Sequence, residues 1–140
     1  MTTVNALSAF SFKDFLEDVL ILRAKHYKTA ANSTLGLSIN YLRWPRFQDI
    51  RILPKEVKAE AAKEILEYVY SHKDKTKGNG EAMFYLEEID QMERLIKYME
   101  QDLPEYTEMI QDFKLFFNEY DRRKGLDFTR AFPEIAWMVQ

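Results

Sequence analysis

Residues 35–66, LGLSINYLRWPRFQDIRILPKEVKAEAAKEIL, contain the change from strand to helix that decides the fold. Apolar and small or polar side chains alternate over residues 35–41, which is the period of a strand that presents two different faces. Pro45 removes a backbone donor and disfavours helix at the residue before it, so we expect the strand to end near Arg43. Pro54 suits the first turn of a helix, and an apolar stripe follows it.

The neighbouring segments indicate a parallel sheet. Residues 3–7 have the composition of a strand end. Residues 12–27 show the apolar spacing of a helix that begins after a capping signal at Ser11. Residues 49–53 are predicted to form a further short extended segment. A strand, a helix, a strand and a helix in this order are typical of parallel strands, which need a long crossover. So few strands cannot bury both faces of a sheet, so we expect neighbouring strands to be missing or supplied by another chain.

The second half of the chain is predicted to be helical. The polar run at residues 73–80, KDKTKGNG, is predicted to be a linker. One helix is predicted at about residues 81–101 and another from about residue 106. Gly125 can cap the C-terminal end of the second of these helices. The apolar tail should dock on the body. We therefore divide the chain into residues 1–72, the linker 73–80, and a helical region 81–140.

Composition excludes several function classes. The chain of 140 residues is 46% hydrophobic and 31% charged with a net charge of -3, which is typical of one soluble globular domain and unlike a nucleic-acid binder. No apolar run reaches the roughly 18 residues of a membrane span, and no basic flank precedes the first apolar residues, so a cytoplasmic location without membrane contact is predicted. The sequence has no Cys, which excludes thiolate metal sites and cysteine nucleophiles.

Three segments carry a family resemblance: VNALSAFSFKDFLEDVLILRAKHY, SINYLRWPRFQDIRILPKEVK and EYDRRKGLDFTRAFPEI. In this order they resemble the C-terminal portion of radical S-adenosylmethionine (radical SAM) enzymes, in particular the twitch domain-containing radical SAM proteins of phages and bacteria. The resemblance implies an α/β fold, namely the C-terminal part of a partial (β/α) TIM-like barrel followed by a mostly α-helical C-terminal region.

The same resemblance implies cofactors that this chain cannot hold by itself. In the complete enzyme a Cys-x-x-x-Cys-x-x-Cys loop binds a [4Fe-4S] cluster, and the cluster binds and cleaves S-adenosylmethionine. Because this sequence has no Cys, it binds no cluster through cysteine. The chain is therefore interpreted as a C-terminal fragment or split half that is inactive alone. Its expected partners are the missing N-terminal radical SAM portion, from the same gene or a separate chain, and an unidentified small-molecule or peptide substrate.

Candidate site residues follow from the position of ligands at the carboxyl ends of parallel strands. By resemblance, Asn5 and Asn40 are candidates to hydrogen-bond the adenine or ribose of S-adenosylmethionine, and Leu42 is a candidate to pack on adenine. Tyr41 and Arg43 are candidates for substrate binding, since Arg43 can hold a carboxylate or phosphate. The alternatives remain that Asn5 only caps the turn before the first helix and that Arg43 only solvates a strand end.

Other polar features are interpreted as surface. The acidic run at residues 87–90 is predicted to be a solvated face, the charged residues 121–127 a solvated helix end, and His26 and His72 surface side chains. The Phe and Met stripes of the last two long helices are predicted to be core. The alternative function is a non-catalytic helical protein-interaction module that binds through a sheet edge or the aromatic face of the last long helix.

Overall fold

Two short parallel strands and five α-helices are present in the computed structural model, which describes residues 1–26, 35–73 and 83–140. The elements are β1 Thr2–Val4, α1 Phe12–His26, β2 Ile39–Tyr41, α2 Lys55–Ser71, α3 Leu86–Met99, α4 Tyr106–Lys124 and α5 Phe128–Ala131. Four 3₁₀ segments, Ala9–Ser11, Arg46–Gln48, Ile50–Ile52 and Pro133–Val139, complete the described secondary structure.

The expected C-terminal part of a partial (β/α) TIM-like barrel is wrong. The two strands are parallel as the order of elements indicated, with Thr2 beside Ile39 and Val4 beside Tyr41, but each is only three residues long. The further extended piece predicted at residues 49–53 is instead the 3₁₀ turn Ile50–Ile52. Helices dominate the described chain, so the protein is mainly α-helical with a small sheet.

The outer edge of β2 is covered by side chains of α3 rather than by a further strand. The backbone N–H of Leu37 donates to Oε2 of Glu88 at 2.9 Å, and that of Ile39 donates to Oε1 of Gln91 at 2.9 Å. Gln91 also donates from Nε2 to the carbonyl of Leu37 at 3.4 Å. A barrel would place its next strand along this edge, so α3 occupies the position where the barrel would continue.

One hydrophobic core joins the segments before and after the predicted linker. Leu16 of α1, Met92 of α3 and Phe113 of α4 are fully buried in the same cluster. The Phe and Met side chains of the two long C-terminal helices were predicted to be core. Five of the six are buried, but the prediction is wrong for Phe116, which is 41% exposed. The tail docks as predicted, since Ile135 is also fully buried in this cluster.

Helix ends agree with the capping signals in the sequence. The second helix ends at Ser71, just before the predicted linker begins. The third was expected at residues 81–101 but is shorter, because Tyr85 and Glu88 form a reciprocal cap at its start. Gly125 ends α4 in the left-handed conformation, with φ of 65°, as predicted. Most of the predicted linker lies outside the described residues, as do residues 27–34.

Candidate functional site

A buried carboxylate, Asp49, organises the chain that follows the carboxyl end of β2. Its side chain is 1% exposed and caps the turn Ile50–Ile52 by accepting from the backbone N–H of Arg51 at 2.9 Å. The Arg51 guanidinium donates to Oδ2 at 2.8 Å, and the Tyr98 hydroxyl donates to the same oxygen at 2.6 Å. The carboxylate is therefore satisfied by a cation and a phenol, which is how a buried charge is kept in a folded protein.

The ring of Tyr98 lies between two other groups. Tyr41 stacks on it with ring centroids 4.5 Å apart and an interplanar angle of 15°, and the Arg51 guanidinium carbon lies 4.6 Å from its centroid. Two groups this close cannot share a face, so Arg51 lies opposite Tyr41. Burial, followed by the hydrogen bond to Asp49, raises the pKa of Tyr98 to about 12. Tyr98 is therefore a neutral hydrogen-bond donor at physiological pH.

Three basic side chains surround this centre, and we call Arg43, Arg51 and Lys58 the cationic cluster. The Arg43 guanidinium carbon lies 5.8 Å from the Tyr98 centroid. Nζ of Lys58 donates to the carbonyl of Arg51 at 3.3 Å. Burial lowers the pKa of Lys58, the charge of Asp102 opposes this, and the positive charge of Arg51 lowers it further. The cluster can therefore attract an anion.

A second surface feature consists of aromatic rings on and beside α4. We define the aromatic face as Phe47, Phe116 and Tyr120. The rings of Phe47 and Phe116 lie 5.0 Å apart, and those of Phe116 and Tyr120 are stacked at 6.0 Å. Phe116 and Tyr120 are 41% and 43% exposed, whereas Phe117, one residue along the helix, is buried. The aromatic packing of the core thus continues to the protein surface.

The structure places Asn5 and Leu42 just after the carboxyl ends of the two strands, whereas Asn40 lies within β2 opposite Thr3. Oδ1 of Asn5 accepts from the backbone N–H groups of Leu7 at 2.8 Å and Ser8 at 3.0 Å, so Asn5 caps the turn before α1. Asn40 is exposed, and its Nδ2 lies 2.8 Å from Sδ of Met1. Leu42 is half-buried and continues the strand pairing by donating to the Val4 carbonyl. Their roles toward S-adenosylmethionine stay predictions.

The predicted substrate residues Tyr41 and Arg43 do come together, through a residue that sequence reasoning missed. Both contact the ring of Tyr98, which lies 57 and 55 positions further along the chain than Tyr41 and Arg43 respectively. No local signal distinguishes Tyr98 from the other tyrosines. An Asp side chain can accept from the backbone N–H two residues later in the chain, so Asp49 was the sequence signal for the capped 3₁₀ turn that contains Arg51.

The prediction that residues 87–90 form a solvated acidic face is wrong for Glu88. Glu88 is 4% exposed and accepts from both terminal nitrogens of Arg23, whose side chain is 7% exposed. Its carboxylate also accepts from the backbone N–H groups of Leu37 and Tyr85. Arg23 in turn donates to the carbonyls of Leu35 and Met83. The pair therefore connects α1, α3 and the chain leading into β2.

The charged residues at the end of α4 make local contacts. Asp121 accepts from the backbone N–H of Phe128 at 2.7 Å, and Asp127 caps α5. Hydrogen bonds from Arg122 and Arg123 lower the pKa of the exposed Glu119 to about 2. These contacts attach α5 to α4 and match the expectation of a solvated helix end.

No protein-family model, curated protein or solved structure matches this chain. Within the described ranges, no three His, Asp or Glu side chains are grouped as metal ligands, and the sequence has no Cys. None of the helices in residues 1–26, 35–73 and 83–140 combines the length and apolar character needed to cross a bilayer. The resemblance to radical SAM enzymes stays a prediction.

Proposed function

We propose that this chain is a non-catalytic protein-interaction module that holds a segment of a partner protein on the aromatic face. The observation that carries the proposal is the exposed stack of Phe116 on Tyr120, extended by Phe47. Large aromatic side chains are enriched at interfaces because they offer wide contact area with few rotatable bonds. A partner's apolar side chain can pack on these rings and remove them from water.

The aromatic face is held in place before any partner arrives. Arg46 forms an ion pair with Glu105 and donates to the carbonyl of Pro104 at 3.0 Å, which attaches the turn Arg46–Gln48 to the start of α4. Phe47, in the same turn, therefore stays against Phe116. Binding to a surface that is already ordered loses little side-chain entropy, and this favours affinity.

The buried ionisable groups support an architectural role rather than a reactive one. Asp49 and Glu88 are the buried charged side chains of the described chain, and each is hydrogen-bonded to an arginine and to further internal donors. No fully buried side-chain nitrogen or oxygen in these residues lacks a hydrogen-bond partner. A general acid or base usually faces a cleft with part of its bonding capacity open to substrate, unlike these two carboxylates.

The test is selection of binders from a displayed peptide library with the purified chain as bait. Peptides selected by the wild-type chain should bind Tyr120→Ser and Phe116→Ser at least about tenfold more weakly, since each change removes a stacked ring from the surface. Leu115→Ser is the matched control, because Leu115 is 69% exposed on the neighbouring side of α4. It should leave the affinity unchanged.

Circular dichroism of each variant separates lost binding from lost folding. Phe116 also packs on the buried Phe117, so Tyr120→Ser is the decisive variant if Phe116→Ser unfolds. Selection of no peptide, or of peptides that bind Tyr120→Ser as tightly as the wild type, would overturn the proposal.

A further inference from the structure

We infer that the segment bound by this module is acidic, and that Arg43 receives one of its carboxylates while Trp44 packs on the adjoining side chain. The inference rests on the proposed function and names the chemistry of the partner. It concerns the exposed loop between the end of β2 and the turn Arg46–Gln48.

The charge of this part of the chain differs from that of the whole. Residues 43–58 contain five basic and two acidic side chains, whereas the complete chain has a net charge of -3. Asp49 is buried and bonded to Arg51, and Glu105 pairs with Arg46, so Arg43 is the arginine of this stretch whose charge no carboxylate of the described residues compensates. A local positive region on an acidic protein attracts anionic partners to this loop rather than to the rest of the surface.

Arg43 is available to a ligand. It is exposed, and no carboxylate of the described residues pairs with it. Its guanidinium carbon lies 5.8 Å from the Tyr98 ring centroid, and the guanidinium carries donors that match a carboxylate in a two-pronged hydrogen bond. By contrast, five other arginines are already paired with acids within the chain: Arg23, Arg46, Arg51, Arg122 and Arg123.

The groups behind Arg43 strengthen its attraction for an anion. Arg51 lies against the same Tyr98 ring, and Lys58 donates to the carbonyl of Arg51. Burial and the nearby Arg51 charge lower the pKa of Lys58, so an added negative charge at this place relieves repulsion within the cationic cluster.

Trp44 supplies an apolar contact beside this charge. It is 74% exposed, and tryptophan and arginine are the residues most enriched among those that dominate binding energy at interfaces. Phe47 lies three positions after Trp44, so the two side chains originate within about 11 Å of each other along the chain. One partner segment can therefore reach Arg43, Trp44 and the aromatic face together.

An acidic peptide fits this surface better than a nucleic acid. Nucleic-acid affinity grows with the number of phosphates neutralised along a track, and this site offers a compact group instead of a basic stripe. Asp102 and Glu105 also carry negative charge near Lys58 and Arg46, which would repel a continuous polyphosphate. A segment with one or two carboxylates beside apolar side chains avoids this repulsion.

The test compares two synthetic peptides, acetyl-QEFLEQ-amide, which carries two carboxylates beside its apolar side chains, and its neutral counterpart acetyl-QQFLQQ-amide. Binding is followed by Trp44 fluorescence in a Trp137→Phe background and by the NMR signals of arginine Nε–Hε groups. The acidic peptide should bind about tenfold more tightly, shift the Arg43 signal and weaken as salt is added. Arg43→Gln should remove most of this difference between the peptides.

Two controls accompany these variants. Arg43→Lys keeps the charge but loses the two-pronged geometry, so it should retain only part of the preference for the acidic peptide. Arg130→Gln removes an exposed arginine on α5 and should behave as the wild type. A short oligothymidylate is the competitor for the nucleic-acid alternative.

The outcomes separate this inference from the proposed function. If both peptides bind equally and Tyr120→Ser weakens both, the acidic preference is wrong and the interaction module stands. If neither peptide binds while library-selected peptides still bind and depend on Tyr120, the acidic preference is wrong and the interaction module stands; if the library also yields no binder, both proposals are contradicted. Unchanged binding of the acidic peptide to Arg43→Gln, or tighter binding of oligothymidylate at Arg43, would also overturn the inference.

Discussion

Replacing Glu88 by Gln tests whether the Arg23–Glu88 pair holds the fold together. The carboxylate accepts from Arg23, Leu37 and Tyr85, and the Arg23 and Glu88 side chains are only 7% and 5% exposed. The variant keeps the shape but turns one acceptor into an NH₂ group that faces existing donors. It also leaves the Arg23 charge without a buried counter-ion.

Removing one partner of a buried ion pair costs about 3–5 kcal/mol. Arg23 keeps its hydrogen bonds to the carbonyls of Leu35 and Met83, which partly solvate the guanidinium, so we expect the lower end of this range. A loss of about 3 kcal/mol is a large part of the roughly 5–15 kcal/mol that stabilises a domain. For a chain of this size it corresponds to a fall in Tm of about 10 °C.

Urea and thermal unfolding followed by far-ultraviolet circular dichroism measure this change. Glu67→Gln is the control, because Glu67 and its partner Lys63 are 69% and 74% exposed and the loss should stay within about 0.5 kcal/mol. Arg23→Gln and the double variant complete a cycle with an expected coupling of about 1–3 kcal/mol. A loss below about 1 kcal/mol in Glu88→Gln, or no coupling, would refute the argument.

Two further predictions concern Tyr98 and Gly125. Because the pKa of Tyr98 is raised to about 12 in the folded chain, its stabilising contribution is complete below pH 10, the ordinary phenol value, and is lost as pH rises toward 12. Tyr98→Phe should therefore flatten the alkaline fall in unfolding free energy over that interval and remove the last phenolate step from an ultraviolet titration; an unchanged titration would contradict the assignment. Gly125→Ala should lower the free energy of unfolding by roughly 1 kcal/mol in thermal melts, because φ at Gly125 is 65°. Gly36→Ala is the control: φ there is not positive and an added Cβ meets no atom within 4 Å, so the change should stay within about 0.5 kcal/mol.

Local chemistry allowed most helix positions to be predicted. Pro54 and Gly125 set the beginning of α2 and the end of α4 through constraints that act within a few residues. The parallel direction of β1 and β2 also followed from the helix between them. The predicted barrel is wrong because the alternation of side chains along a strand does not show how many strands lie beside it. In the structure, side chains of α3 cover the edge of β2 where a barrel would have its next strand.

The candidate site was predictable only in part. Tyr41 and Arg43 were placed correctly at a strand end, since that position depends on Pro45 close by. The burial of Glu88 could not be predicted, because a carboxylate on a helix looks the same in sequence whether it faces water or an arginine from a distant segment. Arg23 lies 65 positions away, and only the tertiary fold brings the two side chains together.

The side-chain cover on β2 also has a consequence for self-association. An approaching strand cannot add to this margin unless Glu88 and Gln91 first release the amides of Leu37 and Ile39. Releasing Glu88 breaks its bond to Arg23, so strand addition here requires partial unfolding of the helical body. The contacts that stabilise the native state thus also protect this margin of β2 from amyloid-like strand addition.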